Sequence, residues 1–342
     1  MAGETPANGA YSGNDMNIGN DVSEVIKMIT SNMDQIIQHD AKTNDMQAAS
    51  ELVQNLGRSG QVKLATLTTT GLGNYDKVKG YPIGQAVLKW ETYQLTHDRA
   101  LKVTIDRRDQ QVTDGLLTAA ATLAELTRSQ IVPELDATRM ADLFKGLKAQ
   151  NSANANVVAE AKPTKANLVT DIIEAIDTVA NNSGYDEGMT VYVNGDLRSI
   201  LDTSSEVTLM RDVTNGSSGV NTAVRQIHGQ TLKFVPGDRM KTTVTLNDGY
   251  TSVYADNTAM DPDDLDHSKY GYAGGSYDIW FAITTPGVAN AITVINDPKV
   301  ITAEQSELFD GDSIMYRIYH DLIVPKNKAK AAYMAVKTGA LS

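Results

Sequence analysis

The hydrophobic and polar positions between residues 93 and 110 alternate with the period of two that is typical of a β-strand. In this stretch, YQLTHDRALKVTIDRRDQ, the side chains of Leu101, Val103 and Ile105 share one face, and Lys102 lies on the other. Charged residues of both signs crowd the two ends of the run. The pattern predicts a half-buried strand that is bordered by a dense cluster of mixed charges.

Two further strand patterns precede this one and predict a long hairpin. QVKLATL (61–67) and AVLKWETYQL (86–95) flank the segment 68–85, which carries four glycines and one proline and is therefore rich in turns. We expect an extended two-stranded arm with a wide tip. Because an isolated two-stranded ribbon is only marginally stable in water, this arm needs another surface to lie on.

Three stretches have the apolar spacing of amphipathic helices. The first follows Asp21, which is a suitable N-cap, and its stripe could pack on its own subunit or equally on a neighbouring one. That stripe consists of Val22, Val25, Ile26, Ile29, Met33, Ile36 and Ile37. The second helix covers residues 113–147, and Pro133 should kink or break it. The third opens at Pro163 and should end at Gly184.

Short strands and helices alternate after the third helix. MTVYVN (189–194) predicts a buried strand and GDLRSILDTS (195–204) a short helix, which is the rhythm of a compact α/β lobe. Residues 214–275 are rich in turns and contain short strands such as TLKFV and TSVYA. The chain closes with the strand patterns YDIWFAIT, ITVIND, SIMYRIYHDLIV and AKAAYMAV. Together these elements predict an α+β fold.

Composition and charge narrow the function classes. The chain has 342 residues, which is long for one hydrophobic core, so two or three lobes are expected. A net charge of −12 argues against tight non-specific binding of nucleic acid over the whole surface, although a local basic patch is compatible with it. The absence of cysteine excludes disulfides and thiolate metal sites. No secretory signal and no membrane-length apolar run is visible, so we expect a soluble protein without a membrane partner.

The sequence offers little catalytic chemistry. None of the five histidines has the spacing of a metal site, and the His-Asp pairs that begin at His39, His97 and His320 are no dyads, because neighbouring strand residues point to opposite faces. Neither a nucleophile elbow nor a phosphate-binding loop is present. The acidic loop 256–266 lacks the glycine and glutamate of an EF-hand when counted from Asp261. We therefore expect no catalytic residue, no cofactor and no metal.

Residues 85–143 resemble the major capsid proteins of tailed bacteriophages and related prophages. Those proteins often show a strand ending in L-T-x-D-R, a strand ending in I-D-R-x-D, and a long helix with an R…PE-D-R tail. The matching residues here are Leu95, Thr96, Asp98, Arg99, Ile105, Asp106, Arg107, Asp109, Arg128, Pro133, Glu134, Asp136 and Arg139. The C-terminal YRIYHDLIVPKNKAKAAYMAV is also similar to the closing strands of that family.

The resemblance implies the Hong Kong 97-type capsid fold. That fold is α+β and has an N-terminal arm, an extended β-hairpin called the E-loop, a P-domain with a long spine helix and a compact α/β A-domain. The implied division is an arm at 1–50, the E-loop at 51–97, the P-domain with its spine helix at 98–150, the A-domain at 151–275, and C-terminal strands completing the P-domain at 276–342.

The resemblance also implies a structural function. Copies of the chain would assemble through hexamers and pentamers into an icosahedral shell that encloses phage double-stranded DNA and contacts it non-specifically. A separate scaffolding protein and a portal are the implied partners, with assembly in the cytoplasm of the bacterial host and the virion as the final location. The alternatives are an encapsulin-like compartment that packages an enzyme, a metal-dependent enzyme using the acidic loop 256–266, and a tail-tube or adhesin protein.

The charged cluster would then lie where the E-loop joins the P-domain, at contacts between subunits. Mixed charges at such contacts can fix the register between neighbours, because mispaired like charges cost energy. Ion pairing within one chain on a solvated face is the alternative. The candidate inter-subunit contacts are Lys77, Lys79, Trp90, Asp98, Arg99, Asp106, Arg107, Arg108, Asp109, Val22, Ile26, Ile29 and Met33.

Overall fold

The structure is a computed structural model, and it describes most of the chain. The described residues are 33, 35–37, 40–47, 53–55, 60–78, 80–108, 119–150, 156–184, 187–203, 207–211, 223–249, 270–303, 305 and 310–341. Several predicted features lie outside them: Val22, Ile26, Ile29, Lys79, Asp109, the strand TSVYA and the acidic loop 256–266.

Strands dominate the described residues. The strands are β1 (Val53–Asn55), β2 (Gln61–Thr69), β3 (Ala86–Gln94), β4 (His97–Asp106), β5 (Val157–Glu160), β6 (Thr190–Asn194), β7 (Val207–Arg211), β8 (Ala223–Ile227), β9 (Gln230–Val235), β10 (Val244–Leu246), β11 (Tyr272–Gly274), β12 (Ile279–Thr284), β13 (Asn290–Ile301), β14 (Gly311–Ile323) and β15 (Ala332–Lys337). The α-helices are α1 (Ala119–Leu126), α2 (Val132–Lys148), α3 (Leu168–Ser183) and α4 (Arg198–Asp202). None of these helices is both long enough and apolar enough to cross a bilayer.

A seven-stranded mixed sheet forms the centre of one lobe, in the order β5-β15-β12-β6-β9-β8-β7. Every residue of β12 is buried, which is expected of a strand covered on both faces. Helix α3 covers one face with the predicted stripe of Leu168, Ile172, Ile176 and Val179. The helix ends at Gly184, whose φ of 72° is the left-handed C-cap conformation that the sequence predicted.

Helix α2 joins this lobe to a second sheet. Its later residues Met140 and Leu143 pack on the other face of the seven-stranded sheet, beside Tyr192. Its early residue Leu135 packs instead against Ile314 and its neighbours in the antiparallel sheet of order β13-β14-β4. One continuous helix thus contributes to two hydrophobic cores and fixes the two sheets relative to each other.

Pro133 does not break the helix. The chain stays helical from α1 through a π-helical turn, Thr127–Ile131, into α2, and the proline lies in the first turn of α2. The π-helical turn directly precedes the proline. Proline has no backbone N–H to donate to the carbonyl four residues earlier, and its ring clashes with that carbonyl, so the regular helical hydrogen bonding is interrupted here. Within this region the hydroxyls of Thr127 and Ser129 donate to the carbonyl oxygens of Leu123 and Glu125.

The C-terminal strands divide between two sheets, while the assignment of residues 276–342 to the P-domain stays a prediction. Strands β12 and β15 lie inside the seven-stranded sheet, where β12 pairs with β6 and β15 pairs with β5. Only β13 and β14 join β4. Two smaller units complete the described fold, namely the sheet β1-β2-β3 and the two-stranded ribbon β10-β11.

Candidate assembly surface

The predicted arm is a long antiparallel hairpin. Strands β2 and β3 pair without interruption from Gln61 opposite Gln94 to Thr69 opposite Ala86. The tip is folded as well, because the rings of Tyr75 and Tyr81 meet edge to face with their centroids 5.2 Å apart. The described part of the hairpin is therefore structured from its paired strands to its tip.

Apolar side chains on this hairpin face solvent in a concentration found nowhere else among the described residues. Nine of the ten large apolar side chains that are exposed there lie between residues 67 and 90. Along the ribbon, Leu67 pairs with Leu88, and Trp90 follows Leu88 on the same face, so the three form a continuous strip. Their exposed fractions are 64%, 55% and 50%. Contiguous exposed apolar surface of this kind marks an interaction site.

The root of the hairpin is anchored in its own subunit. Val62, Leu64 and Leu95 are buried in a small core with residues of β13 and β14. The chain turns into β2 at Gly60, where φ is 68° and a Cβ atom would lie 2.1 Å from the Tyr319 hydroxyl. A rigid root with an uncovered outer part is the geometry of an element that reaches toward a partner.

Most of the charged cluster beside the root is used within the chain. Arg99 binds the carboxylate of Glu134 through Nε and Nη2 and also donates to the backbone carbonyls of Asn247 and Gly271. Its side chain is only 22% exposed. Its donors therefore meet four acceptors within the chain, while the contact of Arg99 with a neighbouring subunit stays a prediction.

Asp98 is also paired within the chain, but it stays at the surface. Arg317 binds both of its carboxylate oxygens, at 2.9 Å and 2.6 Å, and this pairing lowers the pKa of Asp98. Arg107 approaches Asp310 at 3.6 Å, and both side chains are more than half exposed. Exposed pairs of this kind contribute little to the stability of the subunit.

The remaining candidates divide between surface and core. Lys77, Asp106 and Arg108 are exposed, and the carboxylate of Asp106 accepts a hydrogen bond from the backbone N–H of Arg108. Met33 is 2% exposed and packs in its own subunit's core. Within the single chain Met33 is therefore covered by its own core, while its inter-subunit contact stays a prediction.

A buried polar cluster fixes the segment that follows Met33. The Asp136 carboxylate accepts hydrogen bonds from the backbone N–H groups of Lys42 and Thr43 and from the Thr43 hydroxyl, and it pairs with Arg239. Arg139 donates to the carbonyl and hydroxyl oxygens of Thr43. Asp136 and Arg139 thus hold the N-terminal segment onto α2. In the sequence these two residues stand out only as part of the motif that carries the family resemblance.

Sequence reasoning missed a second cluster, at the start of β4. His97 Nε2 lies 2.9 Å from Asp142 Oδ2, and a carboxylate oxygen of Asp321 is close to both. Burial lowers the pKa of His97, but the hydrogen bond to Asp142 and the two negative charges outweigh it and raise that pKa overall. Burial and the charge of Asp142 raise the pKa of Asp321. Burial lowers the pKa of the adjacent His320 to about 3.

The overall architecture matches several solved capsids. The chain resembles the chain in the capsid structure of cyanophage P-SCSP1u over 86% of its length and 87% of that chain, with a TM-score of 0.54 and 8% identity. For the mature capsid of bacteriophage PhiM1 the coverages are 82% and 83%, the TM-score 0.52 and the identity 12%. The match to the capsid of an empty GTA particle covers 88% of this chain and 90% of that chain, with a TM-score of 0.50 and 11% identity.

This chain has the Hong Kong 97-type capsid fold. No protein-family model and no curated protein matches its sequence. Within the capsid fold, the hairpin combines an anchored root, an ordered tip and an uncovered apolar strip. Of the exposed apolar surface that the described residues form, the strip of Leu67, Leu88 and Trp90 is best suited to contact another protein. The contacts predicted from the sequence included Trp90 but not Leu67 or Leu88. The alternation of apolar residues along β2 and β3 could have identified these two as well.

Proposed function

We propose that this chain is the major capsid protein of a tailed bacteriophage, and that it assembles through hexamers and pentamers into an icosahedral shell around phage DNA. The observation that carries the proposal is the uncovered apolar hairpin, since nine of the ten exposed large apolar side chains among the described residues lie on this one element. The capsid fold supports the same function. The role is structural rather than catalytic.

In this proposal each element has a place in the shell subunit. The hairpin of β2 and β3 is the E-loop, α2 is the spine helix, the seven-stranded sheet builds the A-domain, and the sheet of β4, β13 and β14 belongs to the P-domain. Residues 1–50 form the N-terminal arm. The E-loop lies on a neighbouring subunit, which supplies the surface that an isolated ribbon lacks.

The energy of assembly comes from many small contacts. Fully burying an exposed large apolar side chain is worth about 1.5–3 kcal/mol. Because Leu67, Leu88 and Trp90 are 64%, 55% and 50% exposed in the single chain, each can contribute roughly half of that value at a hairpin contact. A closed shell repeats this contact in every subunit. The exposed charges of Asp106, Arg107 and Arg108 then select the register, because like charges that meet across an interface oppose wrong alignments.

The proposed partners follow from the same role. A separate scaffolding protein and a portal assist assembly in the cytoplasm of the host, and the mature shell is part of the virion. Packaged DNA meets the inner surface without sequence specificity. Because the chain carries a net charge of −12, we expect local basic patches on that surface. The ratio of absorbance at 260 and 280 nm of nuclease-treated particles distinguishes enclosed DNA from the protein cargo of an encapsulin-like compartment.

An assembly assay on the strip tests the proposal. The double variant Leu88→Ser/Trp90→Ser should fold normally, because both side chains are about half exposed in the isolated chain, but it should fail to form closed shells in electron micrographs. Tyr277→Ser is the matched control, since Tyr277 is the exposed large apolar residue that lies outside the hairpin in the described part of the chain. Closed shells formed by the double variant as efficiently as by the parent would contradict the proposal.

A further inference from the structure

Three side chains with metal-binding atoms converge beside the root of the hairpin. Nε2 of His97 and one carboxylate oxygen each of Asp142 and Asp321 lie within 4.8 Å of one another. They come from β4, α2 and β14, which are far apart in sequence. Among the described residues, no other group of three histidines or carboxylates converges in this way.

The spacing of these atoms suits a single ion. The His97 nitrogen and the Asp142 oxygen are 2.9 Å apart. Ligands at about 2.0–2.2 Å from a zinc-sized ion in tetrahedral or octahedral geometry are separated by roughly 3–3.5 Å. Only a small movement of side chains is therefore needed to place all three atoms around one cation.

The third ligand is already oriented by its neighbours. One oxygen of Asp321 accepts hydrogen bonds from the backbone N–H and the hydroxyl of Thr96, each at 2.9 Å, and the other accepts from the N–H of Leu322. The oxygen bound by Leu322 accepts only one hydrogen bond, so it keeps a second lone pair for a metal. Hydrogen bonds that orient a ligand in this way are typical of built metal sites.

An opening leads to the cluster from solvent. A cavity of about 460 Å³ is lined by His97 and Asp142, together with Val244 and Leu246 of β10, and Asp321 lies behind this lining rather than in it. This space admits an ion together with the water molecules that complete its coordination. Lys145 also lines the cavity, and its positive charge acts on His97.

We propose that His97, Asp142 and Asp321 form a divalent metal site that takes Zn²⁺ or Mn²⁺. An imidazole nitrogen together with two carboxylates suits these ions, whereas Ca²⁺ and Mg²⁺ prefer sets made only of oxygen. A bound ion links the first residue of β4 to α2 and β14, and so stiffens the root from which the hairpin extends. The site does not depend on shell assembly, because all three ligands belong to one chain.

Titration calorimetry of the full chain in metal-free buffer tests the site with ZnCl₂, MnCl₂, CaCl₂ and MgCl₂. We expect about one Zn²⁺ or Mn²⁺ per chain and weaker binding of Ca²⁺ and Mg²⁺. His97→Gln and Asp142→Asn should each weaken Zn²⁺ binding about tenfold or more, since each removes one ligand. Lys145→Gln should tighten binding, because it removes a competing positive charge.

The matched control is His228→Gln. His228 lies 3.9 Å from Asp177 in an exposed His–Asp pair, so this variant also removes a histidine beside a carboxylate, but at a place where no third ligand converges among the described residues. Its Zn²⁺ affinity should equal that of the parent. Equal affinities of the parent and His97→Gln, no saturable binding of Zn²⁺ or Mn²⁺, or Ca²⁺ binding as tight as that of Zn²⁺ would each overturn the proposal.

A spectroscopic measurement on the parent protein tests whether a histidine binds the ion, even where a variant folds poorly. Pulsed electron paramagnetic resonance of the Mn²⁺-loaded parent, labelled with ¹⁵N at its five histidines, should show coupling of the ion to one histidine nitrogen. The coupling should persist in His228→Gln and disappear in His97→Gln. A parent spectrum without any histidine coupling would contradict the assignment.

Discussion

Arg99 and Glu134 form a two-point ion pair, with Arg99 Nε 2.6 Å from Glu134 Oε1 and Arg99 Nη2 3.2 Å from Glu134 Oε2. The remaining donors of the same guanidinium bind the carbonyl oxygens of Asn247 and Gly271, beside the ribbon of β10 and β11. One side chain therefore connects β4, α2 and this ribbon. The planar fork of arginine allows this arrangement, which a lysine could not reproduce.

Replacing Arg99 should destabilise the subunit. Arg99→Gln leaves the Glu134 carboxylate, which is 14% exposed, without its cation, and we expect the free energy of unfolding to fall by about 2–4 kcal/mol. Arg107→Gln is the control, because the pair of Arg107 with Asp310 is exposed, and its effect should stay below about 1 kcal/mol. Urea denaturation of both variants measures the difference, and equal losses would contradict this account.

Much of the fold is visible in the sequence where one face of an element is buried. The alternation of β4 and β14 and the stripe of α3 predicted those elements, because burial on one face imposes the period of the element on its residues. The sheet to which β12 and β15 belong was not predictable. That choice depends on pairing with β6 and β5, which are far away along the chain, and an apolar run fits the centre of any sheet.

In the candidate site, too, the features set by neighbouring residues were predictable, and the contacts between distant residues were not. The hairpin was predictable because two alternating strands flank a segment rich in turns. The partner of Arg99 was not, since the sequence displays the charges but not which of them meet. His97, Asp142 and Asp321 are far apart in the chain, and motif spacing detects only ligands that one or two neighbouring elements supply.

Two glycines with similar backbone conformations should respond differently to alanine. Gly60 has a φ of 68°, and a Cβ atom there would overlap the Tyr319 ring, whereas Gly80 has a φ of 78° and open space around it. Gly80→Ala should cost about 1 kcal/mol of unfolding free energy, from backbone strain alone. Gly60→Ala should cost more, about 2–4 kcal/mol, because overpacking adds to the strain.

The measurement for this pair is thermal unfolding of the isolated subunits. The Tyr319 hydroxyl donates to the carbonyl of Leu95, so displacement of the ring also removes a hydrogen bond at the hairpin root. The double variant Gly60→Ala/Tyr319→Phe removes the hydroxyl, which is the nearest clashing atom, and should show whether the two effects are coupled. Equal destabilisation by Gly60→Ala and Gly80→Ala would refute the steric argument.

The buried carboxylate of Asp136 should contribute more to the free energy of unfolding than the Thr43 hydroxyl that it binds. Asp136→Asn leaves the guanidinium groups of Arg139 and Arg239 without their buried counter-charge, and we expect a loss of about 3–5 kcal/mol. Thr43→Val removes only the hydroxyl's hydrogen bonds and should cost about 1–2 kcal/mol. A smaller loss for Asp136→Asn than for Thr43→Val, measured by denaturant unfolding, would show that the charge is not what holds residues 42 and 43.

Glu160 carries an unfavourable charge at the end of β5. Its Oε1 atom is buried and has no hydrogen-bond partner among the described residues. Burial, followed by the negative charge of Asp171, raises the pKa of Glu160 above its usual value of 4.5. Between 4.5 and this raised pKa the folded chain binds more protons at this side chain than the unfolded chain does, so the stability contributed here falls as pH rises through that window.

Glu160→Gln should therefore stabilise the subunit at neutral pH, because it keeps the shape of the side chain and removes the penalised charge. The gain should shrink as the pH falls through the raised pKa and vanish below about 4.5, where the parent carboxyl is neutral in both states. Glu125→Gln, which removes a carboxyl group at an exposed position on α1, is the matched control. Unfolding midpoints of the three proteins from about pH 4 to about pH 8 measure the effect. A stabilisation by Glu160→Gln that is constant over this range would have to come from packing, and would refute the electrostatic explanation.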